Sequence, residues 1–175
     1  MLRPLDSGLQ RISIKQTNQG CPMERVTNPF DPKHYIEVRR PLLEATSLPV
    51  WCYTSEQFYD REVEEIFLKT WHMVGREDEV PEPGDYLVHD ICSESVLVIR
   101  GDDGIVRAFA NTCRHRGTRL LDDAGSCRAV ICPYHGWTYD RQGKLSGMRG
   151  MEKSLEFEPS DYNLTPIRLE FWAGF

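Results

Sequence analysis

Asn111-Thr-Cys-Arg-His-Arg-Gly117 and Cys132-Pro-Tyr-His-Gly-Trp-Thr-Tyr-Asp140 decide how this chain is read. Each stretch pairs one cysteine with one histidine, as C-x-H and then C-x2-H, and sixteen residues separate His115 from Cys132. Two thiolates and two imidazoles suit a two-iron, two-sulfide cluster with both cysteines on one iron and both histidines on the other. The mixture has an electrical consequence. Four thiolates load a cluster with negative charge, whereas neutral imidazoles remove some of it and make reduction easier, with potentials of roughly −150 to +300 mV. A closed zinc site is the competing reading. Structural zinc sites usually pair like ligands, C-x2-C first and H-x3–5-H last, whereas here each pair is mixed.

The flanking residues extend the pattern. Trp71-His-Met-Val-Gly-Arg76, Pro83-Gly-Asp-Tyr86, Val98-Ile-Arg-Gly101, Asp103-Gly104 and Val106 to Gly117 stand in order before the second ligand stretch. From about Leu48 to Phe175 the chain resembles the Rieske [2Fe–2S] domain of the alpha subunits of Rieske non-haem iron oxygenases, the ring-hydroxylating and demethylating enzymes. The resemblance implies Cys113 and Cys132 on one iron and His115 and His135 on the other. It also implies electron transfer from an NAD(P)H-dependent reductase or ferredoxin, through the cluster, to a mononuclear Fe(II) in a further domain. His135 would face an acidic residue of a neighbouring subunit in a homotrimer. High-potential Rieske proteins carry a disulfide between the two loops; the corresponding positions here are Thr118 and Tyr134, so the loops must be held by packing and hydrogen bonds. No histidine follows His135, so a two-histidine, one-carboxylate iron triad cannot be assembled from this sequence. The expectation is a truncated oxygenase alpha subunit, with a stand-alone Rieske ferredoxin as the alternative. The run from Leu48 to Pro81 resembles alpha subunits acting on aromatic acids or on quaternary ammonium compounds such as choline, betaine and carnitine, and leans toward the second group.

The 175 residues, 40% hydrophobic and 27% charged, are enough for one domain with a core. A net charge of −6 gives no support for nucleic-acid binding. No apolar run reaches membrane-span length, and Met1-Leu-Arg-Pro-Leu-Asp6 has no apolar signal core, so the expectation is a cytoplasmic protein without membrane partners. Of six cysteines, Cys21, Cys52, Cys92 and Cys127 are expected to be free thiols.

The expected fold is mainly β: an antiparallel β-sandwich Rieske domain with a cluster-binding subdomain, preceded by one helix and an extended N-terminal arm. The divisions are an arm over 1–45, a helix-containing lead-in over 46–70 and the Rieske domain over 71–175. Thr54 and Gln57 suggest a capping box for a helix running to about Lys69, with Tyr59, Val63, Ile66, Phe67 and Thr70 on one face. Strands are predicted at Trp71–Gly75, Asp85–His89, Val96–Arg100, Ile105–Ala110, Ala129–Cys132, Trp137–Asp140, Lys144–Ser146 and Ile167–Phe171, with a hairpin turn at Gly101–Gly104. Gly117 and Gly136 allow sharp turns beside the histidines. Pro133, Tyr134 and Trp137 could wall a cluster from water, and Asp140 starts a turn. Arg114 and Arg116 read equally as solvated residues. His72 reads as a buried, hydrogen-bonded histidine, and His34 and His89 carry no role.

Overall fold

The computed structural model describes residues 27–151 and 154–175. The chain divides at Asp60/Arg61 into two compact units. Residues 1–26 of the expected arm, with Cys21, lie outside the described residues.

In the first unit, Asp31 caps a 3-10 turn over Pro32–Tyr35 by accepting from the Lys33 N–H. Trp51 meets His34, Tyr35 and Phe58 edge-on at 5.6, 6.1 and 6.0 Å. The helix α1 spans Glu56–Glu62. Its N-cap is Ser55, whose Oγ accepts from the Phe58 N–H at 3.3 Å. The capping box expected from Thr54 and Gln57 is therefore not formed: the cap moves by one residue and is one-sided, since Phe58 has no side-chain acceptor to return. Thr54 is taken up by the preceding 3-10 turn, Val50–Tyr53, donating its N–H to Trp51 O.

The helix also ends sooner than expected. After Glu62 the coil widens into a π turn over Val63–Phe67, with the Leu68 N–H reaching back to Val63 O at 3.0 Å. Widening rotates the apolar stripe off one line. Ile66 stays 49% exposed, so the expected buried face is not formed. Trp71–Gly75, expected as a strand, pairs with nothing among the described residues. His72 there is half-buried and its Nε2 lies against Phe67 O.

The second unit is built on an antiparallel sheet. Strands β1 (Asp85–Ile91), β2 (Glu94–Arg100) and β3 (Val106–Ala110) are joined by tight hairpins, and β4 (Gly125–Ser126) pairs with β1. A smaller antiparallel sheet holds β5 (Val130–Ile131), β6 (Thr138–Tyr139) and β7 (Leu145–Gly147). Last comes β8 (Pro166–Ile167), giving the large sheet the order β4-β1-β2-β3-β8. Of the strand expected over Ile167–Phe171 only Ile167 is paired, with Ala108, and Pro166 before it pairs with Phe109. The hairpin at Gly101–Gly104 closes as expected, with the Gly104 N–H on Gly101 O at 3.0 Å.

The apolar run Val96-Leu-Val-Ile99 does not alternate with polar residues, because β2 is covered on both faces. Leu97 and Ile99 point into one core with Phe109, Leu120, Val130, Trp137, Tyr139, Leu145 and Leu164. Val96 and Val98 point the other way, with Val80, Leu87, Val106 and Ala108. Cys113 and Cys132 belong to the first core, so the loops that carry them sit directly on it.

Candidate metal centre

Two loops present the four candidate donors, and they share one backbone frame. In the first, the Cys113 N–H donates to Thr118 O at 2.8 Å and the Gly117 N–H donates to Cys113 O at 2.9 Å. In the second, the Cys132 N–H donates to Trp137 O at 2.8 Å and the Gly136 N–H donates to Cys132 O at 3.0 Å. The fourth residue after each cysteine is glycine, with φ +71° at Gly117 and +72° at Gly136. A side chain there would strain the turn, although no atom lies within 4 Å of a Cβ placed at either site.

The loops face one another. The rings of His115 and His135 lie 4.8 Å apart, edge to face. Cys113 and Cys132 are each only 2% exposed. Buried thiols next to two imidazoles are unusual as packing alone, and His135 Nδ1 is buried with no hydrogen-bond partner. An orphaned ring nitrogen of this kind fits a metal ligand. Burial, with His135 and Arg116 nearby, holds the His115 imidazole below its ordinary pKa, which keeps it neutral as a ligand must be. Among the described residues no three His, Cys, Asp or Glu side chains converge as a mononuclear ion requires. A [2Fe–2S] core takes two protein donors per iron, the remainder being sulfide, and the two loops offer two cysteines and two histidines.

Aromatic rings close the site. Trp137, 1% exposed, stacks on His115 at 4.7 Å and 7°. Behind it, Phe157 and Tyr162 meet the indole edge-on at 5.7 and 5.6 Å. Trp137 is therefore both core and wall. Tyr134 stacks on His135 at 3.8 Å yet remains 60% exposed, so it shields one ring face and leaves an edge toward water. Pro133 is exposed, as are Arg114 and Arg116, whose surface reading holds. Asp140 starts its turn, accepting from the Gln142 and Lys144 N–H groups at 2.9 Å each.

Tyr139 was not singled out from the sequence. It is fully buried, and its hydroxyl lies 3.4 Å from Cys113 Sγ. The same oxygen accepts from the Arg114 N–H at 3.0 Å, which leaves the O–H proton free to point at the sulfur. Burial, then the contact with Cys113, pushes the phenol well above its usual range, so it stays a donor. The available signal was period-two alternation, which places Tyr139 two residues after Trp137. Of the other described cysteines, Cys52 belongs to the first unit, Cys92 is exposed on the β1–β2 hairpin, and Cys127 packs beside the core, where burial raises its thiol pKa.

A family profile described as the Rieske [2Fe-2S] domain matches residues 70–161. The chain belongs to this family. A carnitine monooxygenase oxygenase subunit from Acinetobacter baumannii is 38% identical over 132 residues, 75% of this chain and 36% of that protein. A glycine betaine monooxygenase oxygenase subunit from Pseudomonas aeruginosa is 36% identical over 151 residues, 85% of this chain and 35% of that protein. The crystal structure of the quaternary ammonium Rieske monooxygenase CntA with L-carnitine superposes with a TM-score of 0.70 at 36% identity, covering 75% of this chain and 38% of that one. The chain spans about a third of the length of the curated relatives it matches. The Rieske fold it shares with them is mainly antiparallel β, with one α-helix among the described residues.

Proposed function

We propose that Cys113 and Cys132 bind one iron of the [2Fe–2S] cluster through their thiolates and that His115 and His135 bind the other through their imidazoles. The observation that carries this reading is the pair of loops with one hydrogen-bond frame, each offering a buried cysteine and a histidine. When bound, such a cluster supplies a one-electron couple. The chain's own residues set the conditions for it. Tyr139 donates to Cys113, Trp137 backs His115, and the core beneath excludes water from both sulfurs. His135 and the exposed ring of Tyr134 form the edge a redox partner can approach.

In this reading the chain is the electron-transfer part of a Rieske oxygenase. Electrons enter from an NAD(P)H-dependent reductase or ferredoxin. They leave to a mononuclear Fe(II) held outside these 175 residues, in a neighbouring subunit of a homotrimer. The relatives named above favour this over a stand-alone ferredoxin. They also favour a quaternary ammonium substrate, hydroxylated or demethylated by the whole enzyme. Replacing His135 by Ala tests the ligand set: the variant should fold but lose the Rieske absorption and EPR signals. A His135→Ala protein with a normal Rieske signal would defeat the assignment.

A further inference from the structure

The two ligand loops are mounted differently. The second rises between β5 and β6, with β7 behind, so a three-stranded sheet fixes both of its ends. The first continues from β3 on its incoming side, but its outgoing arm belongs to no strand and has only one isolated bridge, Thr112 to Arg119, at its base. A lone bridge is a weak mount for a loop that must hold two donors in place.

What supplements it is a polar network centred on Asn111, which is 0% exposed and the only buried polar or charged residue among those described. The Asn111 Nδ2 donates to Leu121 O at 2.6 Å and to Ser95 Oγ at 3.1 Å, and its Oδ1 accepts from the Leu121 N–H at 3.1 Å. The carboxamide pairs with both backbone groups of one residue, Leu121, through its donor and its acceptor, as a residue on a neighbouring antiparallel strand would. Its backbone continues the clamp: the Asn111 N–H donates to Ser95 O at 2.9 Å, and the Leu120 N–H donates to Asn111 O at 3.2 Å. Ser95 stands opposite Asp90 on the β1–β2 ladder, and Asp90 receives Arg119 on both carboxylate oxygens at 2.9 and 3.2 Å. Arg119 Nε then donates to Leu121 O at 3.1 Å, closing the ring. The outgoing arm of the loop, Arg119–Leu121, is thereby tied to the β1–β2 hairpin.

We propose that Asn111 is a positioning residue for the cluster. It holds the loop carrying Cys113 and His115 in register against the second loop, with Tyr139 and Trp137 as its abutments. The proposal rests on the reading of Cys113 and His115 as ligands. Outer residues that orient ligands commonly change metal affinity by about 10–100-fold when removed, and deleting the buried carboxamide takes away the acceptor of the Leu121 N–H.

The test uses the full 175-residue chain in three variants beside the original. Asn111→Ala removes the clamp. Ser95→Ala removes one of its three side-chain bonds and is the milder change. Val98→Ala, in the apolar core on the far face of the sheet, is the control for lost stability alone. Release of iron from the dithionite-reduced protein to a ferrous chelator, the EPR line shape and the midpoint potential are recorded for each. Asn111→Ala should release iron at least about tenfold faster than the original, with a broadened signal. Ser95→Ala should move the same way by about threefold, and Val98→Ala should stay near the original rate even where its melting temperature falls as far. Equal release from Asn111→Ala and Val98→Ala, or an unchanged rate and line shape in Ser95→Ala should Asn111→Ala not fold, would overturn the proposal. An original chain without any Rieske signal would instead overturn the ligand reading, and the proposal with it.

Discussion

Tyr139→Phe isolates one atom. The ring stays in a fully buried slot, and only the hydroxyl 3.4 Å from Cys113 Sγ is lost. The sulfur carries more negative charge in the reduced cluster, so a hydrogen bond to it is stronger in that state. Net values of about 0.5–1.5 kcal/mol for neutral hydrogen bonds and about 1.5–3 for those to charged groups put the difference near ~1 kcal/mol. For a one-electron couple, tenfold in equilibrium is about 59 mV, or about 1.4 kcal/mol. The midpoint potential should therefore fall by about 40 mV. The Arg114 N–H also loses its acceptor, and because that N–H points at a fully buried hydroxyl, stability should fall by about 1–3 kcal/mol. Redox titration followed by circular dichroism or EPR measures the first effect, and urea unfolding measures the second. An unchanged or raised potential in a variant with its cluster intact would refute the claim that Tyr139 donates to the sulfur.

Gly136→Ala should cost about 1–2 kcal/mol from positive φ alone, because nothing stands within 4 Å of the added carbon; a larger loss in urea unfolding would mean that the loop packs more tightly than this geometry allows. Trp137→Leu should expose one face of His115 and speed cluster loss in air, measured as bleaching of the visible absorption, and equal bleaching rates would contradict the shielding role. Asp103, paired with Arg107, has its pKa lowered to about 2 from 3.8. Its folded pKa is the depressed one, so its contribution is present above 3.8 and lost as pH falls toward 2. Asp103→Asn should flatten the pH dependence of stability in that window, and an unchanged slope between pH 4 and 2 would count against the pair.

The proposed donors could be named from the sequence because their spacing is local: a C-x-H and a C-x2-H, each with glycine four residues after its cysteine, are visible without a fold. Strands β1 to β3 and the Gly101–Gly104 turn were legible for the same reason. Errors arose where neighbours in sequence competed. Thr54 and Ser55 are both good caps, and the 3-10 turn before them decided between the two. Trp71–Gly75 has strand composition, but no strand pairs with it among the described residues. Tyr139 and Asn111 were missed because their roles are long-range, across 26 residues to Cys113 and 16 to Ser95. A tyrosine in an alternating segment and an asparagine before a loop carry no local mark of such partners.

The most direct test of the central claim is to purify the chain without air, assay iron and acid-labile sulfide, and record EPR before and after dithionite. The account predicts about two irons and two sulfides per chain and a reduced-state signal of low average g. Zinc without sulfide, in a folded chain, would contradict it.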